Sequence, residues 1–189
     1  MNIKNCILIS FSFLLAFNTF SQNMPKRNIG ISTGFGLVIN KRTEGIGTFH
    51  GLSYNQDIWK NRLRFTQQFT YGAYGNKFIL DATDSYFNSI SSKSNLFLNV
   101  INWNSKTLFL GIGFTANTSK GIVNTTKSNP YFRVWHYGFN GCLLGYRFFN
   151  PESRFGFEGR FFQLAVEPSR DEEFVDFQFL ECSLLINIH

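Results

Sequence analysis

Proline occurs only 4 times in 189 residues, methionine twice and cysteine three times. So little proline leaves long stretches free to pair as strands, because proline cannot donate to a ladder. Of the cysteines, Cys6 lies in the first stretch, and Cys142 and Cys182 show no Cys-x-x-Cys spacing. No Cys/His spacing suggests a metal site, and none is expected. Both later cysteines fall in strand-like runs with a third run between them. Strands two apart are separated by about 9–10 Å, beyond disulfide reach, so two free thiols are expected. Long apolar runs are missing as well. The longest, Cys6 to Phe20, is interrupted by Ser10, Ser12, Asn18 and Thr19. It falls short of the roughly 20 residues that a spanning helix requires. Acidic residues are few, 12 against 18 Lys and Arg, for a net charge of +6. The basic residues are scattered, which argues against nucleic acid as a partner. A modest basic excess still suits anionic lipid headgroups.

What is abundant is phenylalanine, 24 residues, and glycine, 16. The first 21 residues combine Lys4, the interrupted apolar run, and the small residues Ala16 and Ser21 before Gln22. That is the layout of a secretory signal peptide. Cys6 precedes the apolar run instead of ending it, unlike a lipoprotein cysteine. The expected organisation is a signal peptide over 1–21 and one domain over 22–189.

Within that domain the organising pattern is Arg62 to Gly72. Leu63, Phe65, Phe69 and Tyr71 alternate with Arg64, Thr66, Gln68, Thr70 and Gly72, with one lapse at Gln67. Period two is the side-chain period of a strand with one greasy and one polar face. From Asn28 to Asn40, Ile29, Ile31, Phe35, Leu37 and Ile39 oppose Gly30, Ser32, Gly34 and Gly36. Gly45 to Asn55 is a second strand of unclear phase, with Phe49 opposite His50, Leu52 and Tyr54. Asn95–Trp103, Thr107–Asn117, Tyr131–Phe148, a run through Phe155, Phe157 and Phe161, and Phe174–Ile188 complete eight strands. In the sixth, Trp135, Tyr137 and Phe139 change parity to Leu144, Tyr146 and Phe148, which predicts a bulge near Gly141. Ala73–Ser94 and Thr118–Pro130 read as long polar loops, with shorter turns at the opposite end. Trp59, among charged neighbours, suits a membrane interface.

The predicted fold is all-β: an eight-stranded antiparallel up-and-down transmembrane β-barrel, apolar toward lipid and polar toward the lumen. On strand count, alternation and loop asymmetry, residues 28 to 188 resemble the small OmpA/OmpX-type barrels of Gram-negative outer membranes. One departure is the ending Ile188-His189, where such barrels commonly carry an aromatic residue used in assembly.

Arg64, Glu158, Arg160 and Glu181 fall on the faces assigned to the lumen. An eight-stranded barrel is just wide enough for side chains to fill it. Buried charges must be paired, so these four predict a structural polar network closing the lumen. No catalytic constellation accompanies them. His50 and Ser53 are three apart in a strand and point to opposite faces. His136, between Trp135 and Tyr137, reads as an interface residue. Gly111-Ile112-Gly113-Phe114-Thr115-Ala116 fits a dinucleotide pattern but lies wholly inside one strand, without the required turn and helix. No cofactor is expected. Two sequons, at Asn117 and Asn124, indicate only an exposed loop.

The function these residues suggest is a non-enzymatic outer-membrane barrel, structural or adhesive. Its partners would be outer-membrane lipid and an extracellular ligand or protein at loops 73–94 and 118–130. Two alternatives differ in class: a lipid-modifying envelope enzyme, and a soluble lipocalin-like carrier, which would turn Phe and Leu inward around a ligand.

Overall fold

The computed structural model describes residues 27–40, 43–59, 62–75, 85–103, 105–123, 131–149, 153–168 and 173–188. The expected signal peptide lies outside the described residues. Eight strands follow one another: β1 (Arg27–Asn40), β2 (Thr43–Trp59), β3 (Leu63–Gly75), β4 (Ser85–Trp103), β5 (Lys106–Val123), β6 (Tyr131–Phe149), β7 (Phe155–Pro168) and β8 (Glu173–Ile188). Each pairs antiparallel with the next, and β1 pairs with β8, so the sheet closes on itself. Closure removes both edges, which an open sheet would leave with unpaired backbone groups.

The alternation is realised as predicted on β1 and from Phe69 onward on β3, whereas Arg64 to Gln68 are buried on both sides. Ile29, Ile31, Phe35 and Ile39 are exposed on the outer wall, while Asn28, Gly30, Ser32 and Gly36 are buried inside. The structure also fixes the phase of β2. Phe49, Ser53, Asn55 and Asp57 point inward, and His50 and Leu52 point outward.

The two polar stretches are shorter as loops than expected. β3 runs on to Gly75, β4 starts at Ser85 and β5 continues to Val123. The connections shrink to 76–84 and 124–130, outside the described residues. The physical reason is that the lumen takes small polar side chains there: Ser89, Ser91, Asn117 and Ser119 are buried. On the outer wall Ser92 and Ser94 blur the alternation further. Gln67, the lapse in β3, sits beside them, donating to Ser92 Oγ (3.0 Å) and accepting from Ser94 Oγ (2.5 Å). Its amide, only 2% exposed, is thereby satisfied by its neighbours.

The parity change in β6 occurs at Leu143–Leu144, two residues beyond Gly141, where both side chains are exposed. It does not stand alone. β7 switches at Phe161–Phe162 and β8 at Phe179–Leu180, and Leu144, Phe161 and Leu180 are register partners. A seam of irregularity therefore crosses three adjacent strands, and Phe162 adopts a positive φ of 54° within it. For a bulky residue this conformation is costly. Its consequence is that apolar side chains stay outside both above and below the seam, while Arg160, Gln163, Gln178 and Glu181 all stay inside.

The interior is not only polar. Phe49, Phe87, Phe97, Phe109 and Leu185 are fully buried within it. Glycines make the room. A Cβ on Gly145 would overlap the Phe109 ring, and one on Gly111 would overlap the Phe97 ring. Gly141, also on β6, would meet only the Gly111 carbonyl at 3.6 Å. We expect Gly145→Ala to destabilise the folded barrel by about 1–3 kcal/mol, the usual cost of overpacking. Gly141→Ala should cost under about 0.5 kcal/mol. Urea unfolding in detergent micelles measures both, and equal losses would contradict the packing described.

Candidate functional site, a charged and aromatic lumen

The wall is short-sided where the interior is crowded, so long side chains from β3, β7 and β8 meet across the lumen. All four residues predicted to line it are there, and each is at most 1% exposed. Glu158 is shared: one carboxylate oxygen pairs with Arg64 Nη1, and the other accepts from Arg160 Nε at 2.8 Å. Arg160 Nη1 donates to Gln68 Oε1 at 2.9 Å and lies 3.6 Å from Glu181 Oε2. Glu181 accepts from Gln68 Nε2 (2.5 Å) and from Gln163 Nε2 (2.8 Å). The chain Arg64–Glu158–Arg160–Glu181 is thus continuous, with Gln68 and Gln163 closing it.

The guanidinium faces are covered by rings. Arg64 Cζ lies 4.9 Å from the Phe97 centroid and 4.4 Å from that of Phe109, and Arg160 Cζ lies 4.9 Å from Phe97. Phe97 and Phe109 meet edge to face at 5.0 Å. Desolvated cation–π contacts of this kind contribute up to about 2 kcal/mol each. Arginine suits the site because its planar cation bonds at the edge and stacks on the face.

Two further pairs lie on either side. Near the end where β1 starts and β8 stops, Arg147 Nη1 is 3.5 Å from Asp57 Oδ1, and its guanidinium lies 5.1 Å from the Phe149 ring. Toward the opposite end, Lys93 Nζ is 3.7 Å from Asp176 Oδ2, to which Gln178 donates at 2.9 Å. Beyond it come Thr70 with Ser91 (2.5 Å) and Asn117 with Ser89 (2.7 Å). The buried charges among the described residues are therefore Arg64, Lys93, Arg147 and Arg160 against Asp57, Glu158, Asp176 and Glu181. Four cations face four anions. A narrow interior tolerates eight buried charges because their sum is zero and each has a partner of opposite sign.

Sequence parity already carried Gln68, which shares the face of Arg64. Asp57 follows from Ser53 and Asn55 once the phase of β2 is known. Lys93 was hidden in an expected loop, and Arg147, Gln163 and Asp176 depend on the seam. His136 is a correction: it is 1% exposed and faces the lumen, while Trp135 and Tyr137 point outward. Strand alternation forces the residue between two outward aromatics inward. His50 is exposed on the outer wall and Ser53 is buried in the lumen, so the two do not meet. Cys142 and Cys182 are free thiols. Among the described residues no group of His, Cys, Asp and Glu is arranged to hold a metal ion.

The outer wall is the inverse of the lumen. Ile112, Phe114, Phe139, Leu143 and Val100 are each more than half exposed. Trp59 and Trp103 stand exposed at the end of the short β2–β3 and β4–β5 turns, and Tyr71, Tyr86, Trp135 and Tyr137 toward the other end. Aromatic girdles flanking an apolar band are how a barrel meets two membrane interfaces. A carrier of the lipocalin kind would have its faces the other way round.

An all-antiparallel eight-stranded barrel of this construction is the fold of the small outer-membrane barrels. No family model and no curated protein matches the chain. Among solved structures it is similar to Neisserial surface protein A, with a TM-score of 0.61 at 11% identity over 85% of this chain and 96% of that one. It is also similar to Ail, the attachment invasion locus protein of Yersinia pestis, with a TM-score of 0.51 at 13% identity over 86% and 99%. A second Ail structure, in complex with the heparin analogue sucrose octasulfate, aligns at 0.50 and 14% over the same shares. At these identities the likeness is one of fold.

Proposed function

We propose that this chain is an integral outer-membrane barrel with a non-enzymatic role, structural or adhesive, acting through its outward connections. The observation that carries the reading is the inversion of faces: large apolar side chains exposed around the wall, and a neutral, fully buried set of eight charges inside. Such a wall is unsustainable in water, where contiguous apolar patches on monomers rarely exceed a few hundred Å². The paired charges and stacked rings form a structural plug at mid-lumen. That leaves the connections 76–84 and 124–130, with the strand ends that carry them, as the surface for an extracellular ligand or protein. That a barrel of similar fold, Ail, has been solved in complex with the heparin analogue sucrose octasulfate supports an external ligand. Met1–Ser21 would direct export and be removed.

Fractionation of cells expressing the full chain tests the placement. The mature protein is expected in the outer-membrane fraction, released by detergent and not by salt or carbonate. Unboiled, it should run on a gel as a compact, β-rich band that shifts on heating. Recovery in the soluble fraction without detergent would overturn the reading in favour of a carrier. Replacing 76–84 and 124–130 with short Gly/Ser linkers should leave that band intact while abolishing attachment of expressing cells to host-type surfaces or immobilised sulfated glycan. Unchanged attachment would remove the adhesive role and leave the structural one.

A further inference from the structure

On the outer wall a shallow, open concavity of about 740 Å³ is centred on β8, β1, β2 and β3, with Phe157 of β7 and Ile90 of β4 at its edges. Its lower row is apolar: Leu184, Ile31, Leu52 and Phe69 are successive register partners across the four strands. Its upper row, two residues nearer the long-connection end, is Cys182, Thr33, His50 and Tyr71, again in register. The short side chains of Thr33 and Cys182 stand between larger neighbours and lower the wall there. His50, Thr33 and Tyr71 are exposed, and among the described residues no hydrogen bond or ion pair engages their side chains. Gln67 of β3 is by contrast covered, 2% exposed, and bonded to Ser92 and Ser94, whereas His50 is open.

Three donors without a protein partner at the level of the Tyr71 girdle, where the apolar band gives way to headgroups, are best satisfied by an acceptor from the membrane. In a barrel whose short turns lie on the periplasmic side, the upper row falls in the outer leaflet, close to the Tyr71 interface girdle. An acyl chain laid along the strands fills the lower row, and its headgroup then reaches the upper one. The imidazole, phenol and hydroxyl form a line of donors that suits an acceptor-rich, anionic group. We infer that this groove is a binding site for one outer-leaflet lipid bearing a phosphate, with its chain on Ile31, Leu52 and Phe69 and its phosphate against His50, Thr33 and Tyr71. The inference rests on the proposed placement of the wall in a membrane.

The test uses the mature barrel inserted into phosphatidylcholine vesicles containing equal fractions of phosphatidic acid and diacylglycerol with identical chains. After mild detergent extraction, native mass spectrometry counts the lipids retained per barrel, and the unboiled gel band reports insertion in the same preparation. Phosphatidic acid is expected to be retained over diacylglycerol by about tenfold, the factor that one charge-assisted hydrogen bond provides. His50→Leu should abolish that preference while diacylglycerol is still retained. Thr33→Trp should fill the floor and remove both lipids, whereas Ala116→Trp, on the outer wall of β5, should leave both. An inserted barrel that retains no phosphatidic acid, a ratio unmoved by His50→Leu, or full retention in Thr33→Trp would overturn the groove alone. A barrel that fails to insert would overturn the membrane placement instead, and the groove with it.

Discussion

Glu158→Ala is expected to destabilise the barrel by about 3–5 kcal/mol, the cost of leaving a buried charge without its partner. The lumen would then hold four cations against three anions. Among the described residues Arg64 has no other carboxylate within ion-pair distance, whereas Arg160 keeps Glu181 and Gln68. This asymmetry makes the double variants informative. Glu158→Ala with Arg64→Ala removes one charge of each sign and leaves the Arg160–Glu181–Gln68 cluster whole, so it should recover much of the loss. Glu158→Ala with Arg160→Ala leaves Arg64 against the Phe97 and Phe109 rings without its ion-pair partner, and it should recover little. Urea unfolding in detergent micelles gives the three single and two double variants, and non-additivity measures the coupling. Strictly additive losses in both doubles would mean that these charges face water independently. Gln68→Ala would not be a mild control here, because Gln68 bridges Arg160 and Glu181.

The second large effect belongs to the outer wall. Ile112 and Trp103 are almost equally exposed, at 70% and 71%. They differ in position along the barrel: Ile112 lies mid-strand in β5, and Trp103 ends β4 at the short-turn end. In water, equal exposure predicts equal tolerance, with either change to arginine within about 0.5 kcal/mol. In a bilayer, depth decides. Ile112→Arg should cost about 2–4 kcal/mol, and Trp103→Arg no more than about 1 kcal/mol, because arginine near an interface reaches the headgroups. Folding titrations into phospholipid vesicles measure both. Indistinguishable variants would reject the lipid-facing assignment of the wall.

The sequence by itself determined which face of most strands is apolar. That is a local property: in an extended chain, successive side chains must point to opposite sides. It was therefore enough to name Arg64, Glu158, Arg160 and Glu181 as lumen residues and to count eight strands. It also set apart the turns, because Asn150-Pro151 and Asn104-Ser105 break the pattern abruptly. Where local pattern and neighbours disagree, the sequence misled. Ser89, Ser91 and Lys93 look like loop residues by composition, and only their pairing with β3 and β5 makes them inner wall.

The tertiary structure decided the rest, and the reason is closure. Once β1 pairs with β8, residues 94 apart in the chain, Arg64 and Glu158, become contact partners, and no spacing rule anticipates that distance. The seam at Leu143–Leu144, Phe161–Phe162 and Phe179–Leu180 is likewise a collective property. One extra residue in a strand reverses its faces, so neighbouring strands must carry the irregularity together for the apolar side to stay outside. The choice of phenylalanine for part of a polar lumen has the same origin. Phe97 and Phe109 are inward because Gly111 and Gly145 on the adjoining strands leave them space, and because two arginines need covered faces. Alternation is written in each strand alone. Charge balance, ring stacking and the lateral groove exist only where strands far apart in sequence share one wall.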